Sequence, residues 1–269
     1  MQFALLNGVT IHYQTIGAPA GKPVIVFSNA LGTDFRIWRD VIVRLAGDYA
    51  IVTYDMRGHG LSDIGEAPYS MDDHVSDLEA LLDHLELKQA IICGLSVGGM
   101  VAQGLYTRRR DLVRALILCD TASKIGDAHG WNSRIEAVNG GGIAAIADSI
   151  LERWFTADFR RPGNPEFAGY RNMLTRTPVE GYAGTCAALR DCDYTHEAGQ
   201  IGVPALCVVG EQDGSTPPDV VLDTAKRIPG ARYEVISGAG HMPCVEQPET
   251  LSAVIRAFIS DLDTGGREG

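Results

Sequence analysis

A serine flanked by glycines is the residue in this sequence best placed to act as a nucleophile. Residues 94–98 read GLSVG, with an apolar run before them and a helical pattern after them. Glycine two residues on either side of Ser96 predicts a tight strand-to-helix turn that presents Oγ clear of neighbouring side chains. The alternative is a plain helix N-cap, where serine is also favoured, but a cap does not require both glycines.

A serine hydroxyl is a weak nucleophile and needs a histidine base, which in turn needs an orienting carboxylate. His241 stands in SGAGHMP, after the last predicted strand and C-terminal to Ser96, with glycines that bring the loop close. We therefore expect His241 to be the base. The other histidines fall in hairpin or helix patterns, in the loop RGHGLSD or near the edges of an inserted segment: His12, His59, His74, His84, His129 and His196.

Two aspartates compete for the role of orienting acid. Asp213 ends the predicted strand PALCVVGEQD, and Asp120 ends the preceding strand, LILCD. Either one keeps the chain order serine, aspartate, histidine. We favour Asp213 because its Gly-x-x-Asp ending places it in an open loop at the carboxyl edge of the sheet. Asp120 is then interpreted as a structural carboxylate that accepts hydrogen bonds from loop amides.

Acyl transfer also needs backbone N–H groups that hold the developing oxyanion. Val97 directly follows the nucleophile at the start of a predicted helix, which makes its amide one donor. The loop SNALGTD, after the strand PVIVFSN, supplies the other, and we assign it to Leu31.

The elements that position these residues follow from alternating apolar runs and helical patterns. Continuous aliphatic runs are typical of strands buried on both faces, and intervening helices make such strands parallel. The sequence therefore predicts an α/β fold with a mostly parallel, doubly wound sheet, extended by an antiparallel hairpin at FALLNGVTIHYQTIG. The predicted buried strands lie at residues 23–29, 49–56, 89–96, 113–120, 204–213 and 231–241.

The strand pattern stops after Asp120 and resumes only at Pro204. The intervening sequence carries helical stretches such as IAAIADSILERWF and VEGYAGTCAALRD rather than linker composition. We therefore predict a helical cap at residues 124–196, inserted into a core formed by residues 1–123 and 197–269.

Composition and charge restrict the classes of partner. The chain has 269 residues, a net charge of −11 and 45% hydrophobic residues. Phosphate-backbone binding draws on clustered Lys and Arg, so we expect no nucleic-acid partner. The uncharged run at residues 89–107 holds several glycines and predicts strand, turn and helix rather than a membrane segment. The N-terminus has no basic leader, which favours a cytoplasmic location.

The six cysteines contain no CxxC pair, and Cys93, Cys119 and Cys207 fall inside apolar strand-like runs. Thiols in such runs behave as small hydrophobic side chains. We therefore expect buried structural thiols rather than a disulfide framework or a metal site.

The chain resembles hydrolases of the α/β-hydrolase fold over essentially its whole length, on the GLSVG turn and its two partners. The segments SNALGTDFRIW, YDMRGHGLSD, GYAGTCAALRDCDY and GHMPCVEQPE closely resemble the 3-oxoadipate enol-lactonases of bacterial aromatic degradation. Asn29 and Ala30 depart from the His-Gly pair that is common in the oxyanion loop of the α/β-hydrolase family.

The resemblance implies a small five-membered enol lactone that carries a free carboxylate, opened through an acyl-enzyme on Ser96 to give 3-oxoadipate. It implies no metal or organic cofactor. Because the substrate is anionic and the protein is acidic, a local cation is required. Arg134 beside Trp131 in HGWNSRIEAV is the candidate, since a guanidinium can grip a carboxylate with two hydrogen bonds. Trp154 is a candidate for the same pocket.

Four alternatives stay open at the level of sequence. A carboxylesterase of other specificity and a C–C bond hydrolase can both use the same three residues, and a haloperoxidase-like member matches less well. A non-catalytic small-molecule receptor on the same fold can also retain them. Turnover distinguishes the receptor from the enzymes.

Overall fold

An eight-stranded sheet forms the centre of the computed structural model, which describes residues 1–17 and 21–265, with side chains up to residue 262. The strands are β1 (Gln2–Leu6), β2 (Val9–Ile16), β3 (Val24–Ser28), β4 (Ala50–Tyr54), β5 (Ala90–Leu95), β6 (Val113–Cys119), β7 (Ala205–Gly210) and β8 (Arg232–Ile236). Their order across the sheet is β1-β2-β4-β3-β5-β6-β7-β8.

The pairing of the strands confirms the predicted fold class. Strands β3 to β8 are parallel to one another, whereas β1 pairs with β2, and β2 with β4, in antiparallel fashion. The hairpin turns at Asn7 and Gly8, which both have positive φ, as an Asn-Gly turn requires. Because β5, β6 and β7 are adjacent and parallel, their carboxyl ends bring residues 96, 120 and 213 to one edge of the sheet.

Helices cover the sheet and fill the long connection between β6 and β7. They are α1 (Arg39–Leu45), α2 (Met71–His84), α3 (Val97–Arg108), α4 (Ala128–Gly141), α5 (Ala147–Trp154), α6 (Pro165–Thr175), α7 (Val179–Asp191), α8 (Thr195–Ala198), α9 (Pro218–Arg227), α10 (Pro243–Glu246) and α11 (Pro248–Gly265). Helices α4 to α8 lie between β6 and β7, and α4 packs against α7. We propose residues 124–196 as the cap.

Burial differs from the prediction at one strand. Strands β5 and β7 are buried along their whole length, as their aliphatic runs predict, but β8 is largely exposed and Val235 keeps 47% of its surface accessible. The prediction that β8 is buried on both faces was therefore wrong. Among the described residues, β8 is the last strand of the sheet and pairs with β7 alone.

All six cysteines are buried free thiols, which agrees with the prediction that their side chains are buried. Within the described residues, no helix is long and apolar enough to cross a membrane.

Candidate active site

Ser96 occupies the strained turn between β5 and α3. Its backbone has φ 57° and ψ −119°, a conformation that residues other than glycine rarely adopt and that is concentrated at functional sites. A Cβ atom on Gly94 would lie 2.2 Å from the carbonyl oxygen of Gly98, and one on Gly98 would lie 2.4 Å from that of Ser28. The glycines are therefore required by the close approach of backbone on both sides of the serine.

The Ser96 side chain does not cap the helix that it begins. Ser96 is the N-cap residue of α3, but its hydroxyl accepts no hydrogen bond from the first turn. The backbone is held instead, because Ser96 N–H donates to Cys119 O at 3.0 Å and Thr121 Oγ1 donates to Ser96 O at 2.6 Å. The residue is 9% exposed, and its hydroxyl lies at the wall of a cavity with no hydrogen-bond partner among the described residues. This arrangement favours the nucleophile over the plain cap.

His241 and Asp213 form a buried hydrogen-bonded pair. His241 Nδ1 lies 2.8 Å from Asp213 Oδ2. The same carboxylate accepts hydrogen bonds from Ser215 N–H at 2.7 Å and from Thr216 N–H at 3.1 Å, and its Oδ2 accepts one from Thr216 Oγ1 at 2.8 Å. Burial alone would raise the pKa of Asp213, but His241 and these donors together lower it. The carboxylate is therefore ionised and orients the imidazole, leaving Nε2 for proton transfer.

Asp120 lies behind this pair and makes a different set of contacts. It is wholly buried at φ 46°, and its Oδ1 accepts a hydrogen bond from Gly210 N–H at 2.8 Å. Within the described part of the chain, its Oδ2 makes no hydrogen bond of standard geometry. Burial, and next the charge of Asp213, raise the pKa of Asp120 well above its ordinary value. Asp120 is therefore neutral where Asp213 is charged, and hydrogen bonding to His241 favours Asp213 as the acid.

Asp120, Asp213 and His241 offer ligand atoms within 4.8 Å of one another, which is also a spacing that a metal ion could use. The donor set fits such an ion poorly, because Asp213 already accepts four hydrogen bonds and His241 Nδ1 is occupied by Asp213. We interpret Asp213 and His241 as an acid–base pair, and Asp120 as a neutral structural carboxyl behind that pair.

Replacement of Asp120 by asparagine is expected to stabilise the protein increasingly as pH rises. Between its unfolded-state pKa and its raised folded-state pKa, this carboxyl is protonated in the folded protein and ionised in the unfolded chain. The free energy of unfolding therefore falls as pH rises through that range. The loss is up to about 1.4 kcal/mol per pH unit. An asparagine side chain removes this loss, tolerates positive φ and still accepts from Gly210 N–H. Urea unfolding of both proteins from pH 4.5 to 7.5 measures the difference, and parallel curves would contradict a neutral Asp120.

Two main-chain amides, those of Val97 and Leu31, are proposed as the oxyanion donors. Val97 is the first residue of α3, so its N–H has no carbonyl one turn earlier to bond. Leu31 follows β3, and among the described residues none accepts a hydrogen bond from its N–H. Asn29, which replaces the common histidine, is wholly buried: its Nδ2 donates to Tyr54 O at 2.7 Å, and its Oδ1 accepts from Trp38 Nε1 at 3.0 Å. The substituted loop is thus firmly held.

A cavity of about 250 Å³ joins these groups to the cap. Ser96, His241 and Leu31 line it on the core side. The cap side includes the sequence-predicted Trp131, Arg134 and Trp154, together with Arg153 and Tyr182. Pockets for drug-sized ligands run from about 300 to 1,000 Å³, so this cavity suits a smaller molecule.

Comparisons with known proteins identify the family of the chain. Residues 25–254 match the model of the Alpha/beta hydrolase family. The chain belongs to the alpha/beta hydrolase family. This hydrolase is 34% identical over 254 residues to 3-oxoadipate enol-lactonase 2 of Acinetobacter baylyi, covering 93% of each chain. The crystal structure of the enol-lactonase from Burkholderia xenovorans superposes with a TM-score of 0.92 at 35% identity, covering 96% of this chain and 100% of that one.

A second solved structure widens the comparison to esterases. A thermophilic esterase from Thermogutta terrifontis has a TM-score of 0.90 at 27% identity, covering 97% of this hydrolase and 99% of the esterase. The architecture is therefore shared by relatives that differ in substrate, and the lining of the cavity has to be considered separately.

Several residues that line the cavity of this hydrolase were not predicted from the sequence, and two of them can contact an anion. Arg153 of α5 and Tyr182 of α7 face the same cavity as Arg134. Burial, and next the positive charge of Arg134, lower the pKa of Arg153, and within the described residues neither arginine has an ion-pair partner. The buried Tyr182 hydroxyl also makes no hydrogen bond of standard geometry there. Helical patterning alone gives no signal for which arginine of a cap faces the core.

Proposed function

We propose that this hydrolase opens a small carboxylate-bearing enol lactone, 3-oxoadipate enol-lactone, through an acyl-enzyme on Ser96. One observation carries the proposal: the free hydroxyl of a strained Ser96 shares a small cavity with His241 and with two arginines that have no ion-pair partner among the described residues. The enol-lactonase relatives support the same substrate class.

Acylation would begin with attack of Ser96 Oγ on the lactone carbonyl carbon while His241 Nε2 takes the hydroxyl proton. The N–H groups of Leu31 and Val97 would hold the resulting oxyanion; losing such a donor costs about 3–4 kcal/mol of transition-state stabilisation. Collapse breaks the ring C–O bond and expels an enolate, which takes the proton from His241 and tautomerises to a ketone. An enolate leaves more easily than an alkoxide.

Deacylation would reuse the same groups. His241 removes a proton from water as the water attacks the acyl carbon, the oxyanion forms again at the two amides, and collapse releases Ser96 Oγ with its proton restored. The product is the dicarboxylate 3-oxoadipate. Asp213 holds the imidazolium in place at both stages without itself taking a proton.

The substrate carboxylate would lie between Arg134 and Arg153. Burial and next the charge of Arg134 lower the pKa of Arg153, and an anion there offsets both effects. Tyr182 Oη adds a neutral donor because burial raises the pKa of that phenol. Trp131 supports Arg134 by direct contact. Its indole N–H donates to Ile125 O at 2.6 Å, and the Arg134 guanidinium lies 4.9 Å from the ring centroid. The arginines select the anion, and the tryptophans exclude water.

Turnover on paired substrates tests the proposal. The purified protein is assayed on the enol lactone and on small neutral esters and lactones of similar size, for kcat/KM. Replacing Arg134 or Arg153 by alanine is expected to raise KM for the enol lactone roughly 10- to 100-fold, the equivalent of one charged hydrogen-bonded contact, with neutral-ester KM changed less than about threefold.

Arg171→Ala is the matched control, because Arg171 lies on the cap, pairs with Asp148 and is absent from the cavity wall. Efficient hydrolysis of neutral esters with poor lactone turnover would assign a carboxylesterase instead. Binding of the lactone without any turnover would assign the non-catalytic receptor. Equal effects of the arginine variants on both substrates would remove the carboxylate site.

A further inference from the structure

The loop Arg57–Gly60, which follows β4, contains a histidine that the proposed reaction does not use. His59 is wholly buried, and both its ring nitrogens have backbone partners. Nε2 lies 3.0 Å from Gly32 N, and Nδ1 lies 3.1 Å from Arg57 O. An amide N–H only donates and a carbonyl only accepts, so Nε2 is the acceptor and Nδ1 carries the proton.

Gly32 is the neighbour of Leu31, whose amide is a proposed oxyanion donor. Other hydrogen bonds hold the rest of this loop: Asn29 Nδ2 donates to Tyr54 O, Thr33 Oγ1 donates to Ala30 O at 2.8 Å, and Phe35 N–H donates to Asp55 Oδ1 at 3.0 Å. The hydrogen bond to His59 fixes the peptide that joins Leu31 to Gly32. It therefore holds Leu31 from its carbonyl side, while the Leu31 N–H lies in the preceding peptide. Without this hydrogen bond, a buried N–H would lack an acceptor, and the peptide would rotate to find one.

We propose that His59 is a positioning residue that aims the Leu31 amide at the oxyanion, an inference that rests on the proposed acyl-transfer function. His59 touches no substrate and acts through Gly32. Burial lowers the pKa of His59 more than the Arg57 carbonyl, Asp55 and Asp34 raise it. The ring therefore stays neutral, and Nε2 remains able to accept.

The loop that carries His59 is itself clamped by the cap. A Cβ atom on Gly58 would lie 2.4 Å from Gly181 Cα, and one on Gly181 would lie 2.2 Å from Gly58 O, so the two backbones touch. Arg57 Nε donates to Asp77 Oδ2 at 2.6 Å on the other side. His59 therefore connects the oxyanion loop to a rigid contact between the core and α7.

Two substitutions of His59 distinguish the role of Nε2 from that of Nδ1. The amide oxygen of glutamine reaches about as far as Nε2 and can accept from Gly32, whereas asparagine reaches only as far as Nδ1. We expect His59→Asn to lower kcat about 10- to 100-fold, below the 10²- to 10³-fold loss of a whole oxyanion donor. KM should stay within about threefold, and His59→Gln should recover most of kcat. Affinity for a boronic acid, whose tetrahedral adduct places an oxygen in the oxyanion site, should fall in parallel with kcat.

His74→Asn is the matched control, because His74 is also a buried histidine. Burial is the main cause that lowers the pKa of His74, to about 3. Its Nε2 contacts Thr185 rather than the oxyanion loop. This substitution should lower the melting temperature without changing kcat or boronate affinity. Equal losses of kcat in His59→Gln and His59→Asn, or unchanged boronate affinity in His59→Asn, would overturn the proposal.

A measurement on the unmodified protein keeps the test independent of folding of the variants. ¹⁵N NMR should place the His59 proton on Nδ1 and show a hydrogen-bond coupling between the Gly32 amide and Nε2; a proton on Nε2 overturns the proposal. Kinetics are measured on the enol lactone and on the best neutral ester. A wrong substrate assignment appears as low wild-type turnover of the lactone, whereas a wrong role for His59 appears only in the ratios between variants.

Discussion

Replacement of Ser96 by alanine is expected to reduce kcat by at least about 10⁴-fold on every substrate that the protein hydrolyses. Loss of a triad nucleophile typically removes 10⁴- to 10⁶-fold, and the residual rate comes from the oxyanion donors and binding. Alanine keeps the turn, since Ser96 makes no cap hydrogen bond that the fold would lose. Steady-state kinetics and acyl-enzyme detection by mass spectrometry after rapid quenching measure the effect, with the acyl adduct expected on Ser96 in the wild type alone.

The matched control is another buried serine. Ser252 of α11 donates its hydroxyl to Pro248 O at 2.6 Å and does not line the cavity, so Ser252→Ala should cost stability but leave kcat within about twofold. Wild-type turnover by Ser96→Ala, or an acyl adduct on a different residue, would show that the nucleophile lies elsewhere.

The sheet could be predicted because its strands are encoded locally. The run VRALILCD predicts a strand at residues 113–120, and β6 spans Val113–Cys119. Ser96 and Asp213 each follow such a run, so parallel pairing of the strands alone brings both residues to the carboxyl edge of the sheet. The burial of β8 could not be obtained in this way, because the position of a strand at the edge of a sheet depends on topology rather than on its own composition.

The cavity wall was only partly predictable, for a similar reason. Arg134 was found because it neighbours a tryptophan in sequence, whereas Arg153 faces the cavity only through the packing of α5 against the core. The hydrogen bond between His59 and Gly32 joins residues 27 positions apart and depends on two loop conformations. Loops encode such contacts in backbone geometry, which apolar periodicity does not report.

Replacement of Asp213 by asparagine is expected to lower kcat by on the order of 10⁴-fold, as expected when the orienting acid is lost and the histidine takes the wrong tautomer. The asparagine oxygen can keep the Ser215 and Thr216 amides as donors, which leaves its NH₂ group opposite His241 Nδ1. His241 Nδ1 must then accept a hydrogen bond from this NH₂ group. The imidazole proton therefore moves to Nε2, and His241 can no longer take the proton of Ser96. Steady-state kinetics measure kcat, and ¹⁵N NMR reports the tautomer of His241 directly.

Asp120→Asn applies the same chemical change to the neighbouring carboxyl of the same buried cluster. Because Asp120 is protonated and bonded through Oδ1 to Gly210, asparagine reproduces both its charge and its acceptor, and kcat should stay within about threefold of the wild type. A larger loss in Asp120→Asn than in Asp213→Asn would transfer the role of acid to Asp120. Melting temperatures of both variants separate loss of fold from loss of orientation, so the ratio of their kcat values assigns the acid.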